Sequence, residues 1–256
     1  MTSSARATLT LVIANLAIYL VMLGCWLSRG LFPGMPDYLT SLLSLPSDLH
    51  RVMSHPWTIL TYMFTHISFV HLTVNMLWLV GFGPTLRGNG RLTILTYLAG
   101  GLTGGLMFML TQTLSDDKAS ILAGASASVI AVTLTAAVLS PSRRLDMLLF
   151  GNVKLKWVAL IAVITMFAGS RTFSASTAAH LGGVIAGLVI AVVVKIRDRI
   201  IVERAMQKAR IVTRQRALIS KAGKSGFASL SEPERLELFN LHKSFNNHSS
   251  NKVSYR

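Results

Sequence analysis

The chain has 256 residues but only one cysteine, Cys25, and only ten acidic side chains, and charged residues make up 14% of it. A single thiol excludes a disulfide framework and a cysteine-ligated metal; among apolar neighbours it reads as a small buried hydrophobe. Soluble globular domains carry nearer a quarter charged residues, so the shortage argues against a soluble fold. The distribution of charge argues further. No Asp, Glu, Lys or Arg occurs in 7–28, 52–86, 92–115, 119–142, 157–170 or 172–194. With no charge inside these runs, a transporter built on intramembrane ionisable groups is a poor fit.

What fills the runs is apolar, and hydrophobic residues are 52% of the chain. A membrane-crossing helix needs about 20 mostly apolar residues. The runs predict six, near 8–28, 70–86, 92–114, 120–140, 155–170 and 174–195. Pro56 and its polar neighbours break the first part of the second run, while Lys154 and Lys156 can snorkel to extend the fifth. The first run is too long for the apolar core of a signal peptide, and no small-x-small cleavage site follows it in a polar setting, so it is read as retained. The fold class is all-α: a polytopic six-helix membrane domain over 1–195 and a tail over 196–256.

The net charge is +15, and from Lys195 onward basic residues outnumber acidic ones fourteen to five. The connections 87–91 and 143–156 are basic as well. The positive-inside rule places both, the tail and the N-terminus in the cytoplasm. The 28–69 connection and the 115–120 and 170–174 turns then face outward. The short N-terminus lacks an Arg-rich presequence, which favours a bacterial cytoplasmic membrane. For a basic tail beside a bilayer, anionic lipid is a simpler partner than nucleic acid; a cytoplasmic protein is the other candidate.

Residues 28–69 are too many for a passive connector. They hold Pro33, Pro36, Pro46 and Pro56, with apolar patches suited to the membrane interface. Trp57, Tyr62 and Phe64 stand where an aromatic belt belongs. Gly183 and Gly187 form GxxxG, with Gly182 and Ala186 on an adjoining face, and "AGGLTGGLMF" repeats the small-residue pattern; such spacing lets helix backbones approach closely. Beyond Val194, charged and apolar residues alternate at helical spacing, which predicts a basic amphipathic helix broken by Gly223 and Gly226. "SLSEPERLELF" predicts a short helix capped by Ser231 with Pro233 in its first turn. The Asn- and Ser-rich end reads as disordered.

Strongly polar side chains inside a span are costly and so are functional candidates. These are His71 and Asn75 in the second span, Ser126 and Ser128 at the start of the fourth, and His180 at the start of the sixth. His71 and Asn75, four apart, share a helix face. The charge pattern puts all five in the outer leaflet. Singly, each has a plainer reading: a serine bonded to its own i−4 carbonyl, an asparagine or histidine satisfied across helices. Together at one depth they suit acyl transfer. A serine becomes nucleophilic when a histidine takes its proton, and the oxyanion then needs N–H donors. No carboxylate lies at that depth, so a third triad member is absent. Zinc spacing is absent too, and no metal or cofactor is expected.

"HISFVHLTVNMLWL", "GASASV" and "AHLGGVIAG", in that order on the second, fourth and sixth spans, resemble the rhomboid intramembrane serine proteases over about 50–195. The resemblance implies Ser126 as nucleophile, His180 as base, and His71 and Asn75 as oxyanion stabilisers. It also puts Gly183 and Gly187 where the sixth helix packs on the fourth. Ser128, two residues from Ser126 and about 200° around the helix, is left to packing. Substrates would be single-span membrane proteins cut near the outer face, reaching the site laterally past the short fifth helix. The chain departs from the family pattern at Ala127, in a GASA variant of GxSG; at Ile130, where an aromatic often stacks on the histidine; and at Arg87, where a glutamate is common. Ala127 and Ile130 favour the alternative, an inactive rhomboid-like protein that binds or escorts membrane clients.

Overall fold

The computed structural model describes residues 1–86, 90–114, 120–147, 151–168 and 174–240. Arg87, most of the 115–120 and 170–174 turns and the C-terminal end from 241 lie outside the described residues. Helix α1 (Ser3–Leu27) is followed by α2 (Met35–Leu43), β1 (Leu45–Pro46), α3 (Leu49–Ser54) and α4 (Thr58–Thr61), so the 28–69 connection is largely structured. Next come α5 (Phe69–Phe82), α6 (Gly90–Thr113), β2 (Ile121–Leu122) and α7 (Ser126–Leu139). A hairpin of β3 (Arg144–Met147) and β4 (Gly151–Lys154) leads to α8 (Leu155–Ala168) and α9 (Ala175–Ser225). A last helix, α10, covers 232–240.

The fold is mainly helical, and the all-α reading misses the short strands. β1 is buried, and there pairing satisfies backbone polar groups away from water; β4 is largely exposed. β1 pairs with β2 antiparallel, Leu45 opposite Leu122, and β3 pairs with β4.

Among the described residues, Ser3–Gly30, Gly90–Thr113 and Ala175–Ser225 are each long and apolar enough to cross a membrane. Thr58–Phe64 and Phe69–Thr85 make a fourth span if that pair, bent by 88°, is counted together. The bend falls at 65–68, ahead of the 70–86 span read from the sequence. α7 and α8 have 14 residues each, about 21 Å of helix against a hydrocarbon core of about 30 Å. α8 is the fifth helix, which the sequence marks as shortest, and α7 is as short.

Leu9, Ile13, Leu16 and Leu20 of α1 are exposed, as suits a helix facing lipid. α7 is the opposite: from Ala127 to Ala137 every residue except Leu134 is buried. α6 packs closely against it through glycines. A Cβ at Gly100 would stand 2.5 Å from that of Ala131, and one at Gly101 would stand 2.8 Å from Ser128 Oγ. The chain divides into two compact units, Met1–Val194 and Lys195–Arg256. In the second, Lys221 pairs with Glu234 at 2.7 Å and Arg214 with Glu237 at 3.0 Å. The Ser231 N–H donates to Glu234 at 2.9 Å, the reciprocal half of a capping box.

Candidate active site

The backbone ahead of α7 is tied down at several points. Beyond the β1–β2 pairing, the Ser47 N–H donates to the Ser120 carbonyl and the Gly124 N–H to the Tyr62 carbonyl, both at 2.9 Å. Gly124 has φ +130°, and a Cβ there would stand 2.5 Å from His71 Cε1. Its conformation favours glycine, and the His71 ring fills the space a side chain would need. The Ala125 N–H donates to His66 Nε2 at 3.3 Å, and α7 starts at the next residue. First-turn amides of a helix have no i−4 partner, so the Ser126 N–H belongs to the donor-rich end of α7.

His180 Nε2 lies 2.8 Å from Ser126 Oγ. Both are half-buried, and with His71, Asn75, Ser68 and Thr165 they border one cavity of about 370 Å³. Four of the polar residues singled out in the sequence therefore meet. Asn75 is buried; its Nδ2 donates to the His71 carbonyl at 2.8 Å. An amide nitrogen carries two hydrogens, so one N–H remains beyond that bond. The fifth candidate, Ser128, is fully buried on the α6 side, near Gly101. Among the described residues, no cluster of His, Cys, Asp or Glu could hold a metal ion.

Gly183 and Gly187 bring α9 against α7. A Cβ on Gly183 would collide with the Ala127 carbonyl, and one on Gly187 would lie 2.7 Å from that of Ala131. Thr135 Oγ1 donates to the Gly187 carbonyl at 2.9 Å, and Thr103 Oγ1 of α6 to the Gly182 carbonyl at 3.0 Å. This packing carries His180 to Ser126. The Ala127 methyl points at α6: a Cβ on Gly104 would stand 2.5 Å from it. The methyl occupies the notch that Gly104 leaves, and Ala127 does not border the cavity.

Several contributors escape a search for polar groups at one depth. His66 is fully buried at the bend, its ring 5.3 Å from that of His71 and at 68° to it. It lies in the same "HISFVH" stretch, five residues from His71, which is the signal that could have found it. Asn15 of α1 donates to Tyr97 Oη at 3.0 Å, and Tyr97 Oη donates to the Met63 carbonyl at 2.7 Å. An asparagine in an apolar span carries the same cue as Asn75. Phe167 packs against His180, and no polar signal marks it.

The family model of the Rhomboid domain matches residues 53–197, more than half of the chain. The protein belongs to the rhomboid family, whose members are in general serine intramembrane proteases and include inactive homologues. With its apolar helices, it is an integral multi-pass membrane protein in a lipid environment. None of the curated proteins compared matches the chain.

Proposed function

We propose that this protein is an intramembrane serine endopeptidase that cleaves single-span membrane proteins near the outer membrane face. The observation that carries the reading is the 2.8 Å contact of His180 Nε2 with Ser126 Oγ in a cavity shared with His71 and Asn75. His180 takes the hydroxyl proton as Oγ attacks the scissile carbonyl carbon. The oxyanion accepts from Asn75 Nδ2, the His71 ring and the Ser126 backbone N–H. His180 then returns the proton to the leaving amine. Water, activated by the same imidazole, hydrolyses the acyl-enzyme.

In this reading the bent pair, α7 and α8 join the three long helices to make six spans. The termini and the basic connections lie in the cytoplasm, and the membrane is a bacterial inner membrane. Substrate reaches Ser126 laterally, past α8. The inactive, client-binding alternative draws on Ala127 and Ile130. The seat of the Ala127 methyl against Gly104, outside the cavity lining, supports the enzyme instead.

The test is covalent labelling of the detergent-solubilised protein by a fluorophosphonate. Wild type and Ser128→Ala are expected to label, and Ser126→Ala and His180→Ala to fail. A folded wild type that neither labels nor cleaves a transmembrane substrate in vesicles turns the assignment to the client-binding protein.

A further inference from the structure

Ile130, four residues beyond Ser126, is aliphatic and fully buried, so it offers His180 no ring. α8 does. Phe167, one residue short of the end of that helix, has its ring centroid 5.7 Å from that of the imidazole, with the planes at 74°. This is the edge-to-face arrangement in which the positive rim of one ring meets the negative face of another. Turning the imidazole about its Cβ–Cγ bond would lose that contact and swing Nε2 away from Ser126 Oγ. No Asp or Glu lies in the charge-free runs that hold these residues, so no carboxylate from them orients the base.

We propose that Phe167 is a positioning residue for His180, its ring holding the imidazole in the rotamer that keeps Nε2 on Ser126 Oγ. The proposal rests on the reading of Ser126 and His180 as a catalytic dyad. Leu155, Val158, Ala159 and Ala162 anchor α8 and are buried to within 2% exposure. Thr165, in its last turn, borders the cavity. The outer end of α8 is thus both a wall of the cavity and a brace for the base, and a shift of that end would disturb the dyad.

The experiment uses the full-length protein in lipid vesicles and a fluorogenic single-span substrate, with kcat and KM measured separately. An aromatic pair of this kind corresponds to about a three- to tenfold effect. Phe167→Ala and Phe167→Leu should each lower kcat by that factor and leave KM within about twofold, while Phe167→Tyr should restore kcat. The leucine variant keeps apolar bulk, so its loss together with rescue by tyrosine separates ring contact from filling of space. Leucine restoring kcat as well as tyrosine, or alanine leaving kcat unchanged, overturns the proposal. Ser126→Ala, run alongside, reads the dyad separately. If it still cleaves, or wild type does not, the dyad assignment falls and this inference with it; if it is dead while Phe167→Ala keeps full kcat, only the inference falls.

Discussion

The Ala127 methyl and the missing side chain of Gly104 form a matched pair across α6 and α7. A second methyl in that space has nowhere to go, since Gly104 also faces the Ala179 carbonyl, which would lie 3.1 Å from its Cβ. Gly104→Ala should therefore cost about 1–3 kcal/mol through overpacking, read as a lower melting temperature in detergent. Ala127→Gly should cost about 1 kcal/mol for a methyl-sized void and leave cleavage close to wild type. The double variant, with one methyl in the same notch, should recover most of the stability lost by Gly104→Ala. A large gain in kcat for Ala127→Gly would instead mean that the methyl crowds the oxyanion. Asn75 is tested differently. Removing a donor that acts on the developing oxyanion costs about 10²–10³-fold in rate, so Asn75→Ala should lower kcat by that range with KM little changed. A matching rise in KM would assign Asn75 to substrate binding.

At the scale of elements, the tail makes a prediction about pH. The Glu234 carboxyl is held below the ordinary glutamate range, first by its hydrogen bond from Lys221 and next by the Ser231 backbone N–H. A depressed carboxylate stabilises the folded form fully above its unfolded pKa of about 4.3, and the contribution is lost as pH falls through the lower folded value. The contacts between α10 and the end of α9 should thus be intact at neutral pH and loosen only in acid. Nitroxides at Arg210→Cys and Asn240→Cys, in a Cys25→Ser background, should report one short distance at neutral pH and a broadened distribution in strong acid. Glu234→Gln should show the broadening already at neutral pH; an unbroadened distance in that variant would show that the pairing with Glu234 does not hold α10 against the end of α9. Elements also mark what the sequence makes legible. His71, Asn75, Ser126 and His180 stand out because a polar group in an apolar helix is conspicuous, and one depth gathers them. Gly183 and Gly187 stand out by their spacing. The 88° bend and the β1–β2 pairing do not, because they answer to backbone groups that need partners at one place in the fold. Phe167 looks like any lipid-facing residue until α8 is set beside α9, and Ala127 looks like an intrusion until Gly104 is found opposite its methyl.

For the whole molecule, the question is where the charge goes. The net charge of +15 is concentrated from Lys195 onward, where fourteen basic residues meet five acidic ones; among the described residues, three of the five pair with Arg197, Lys221 and Arg214. Basic residues outnumber acidic ones by nine there, so acidic side chains of the tail cannot neutralise them all. Near an anionic leaflet each is worth about 1 kcal/mol, falling off within a Debye length. If the tail lies on the cytoplasmic leaflet, phosphatidylglycerol in the vesicle should shield it, and salt should undo the shielding as the screening length shrinks from about 10 Å at 0.1 M to about 3 Å at 1 M. The full-length protein, in sealed vesicles sorted for the cytoplasmic side outward, gives the measurement. Trypsin should cut within 195–240 slowly when the vesicles contain phosphatidylglycerol at low salt. Cutting should speed up several-fold in neutral phosphatidylcholine, or at high salt with either lipid. A rate indifferent to lipid and salt would point to a protein partner for the tail. Protection from trypsin under every condition would put the tail on the other face of the membrane, and the six-span topology with both ends inside would have to be abandoned.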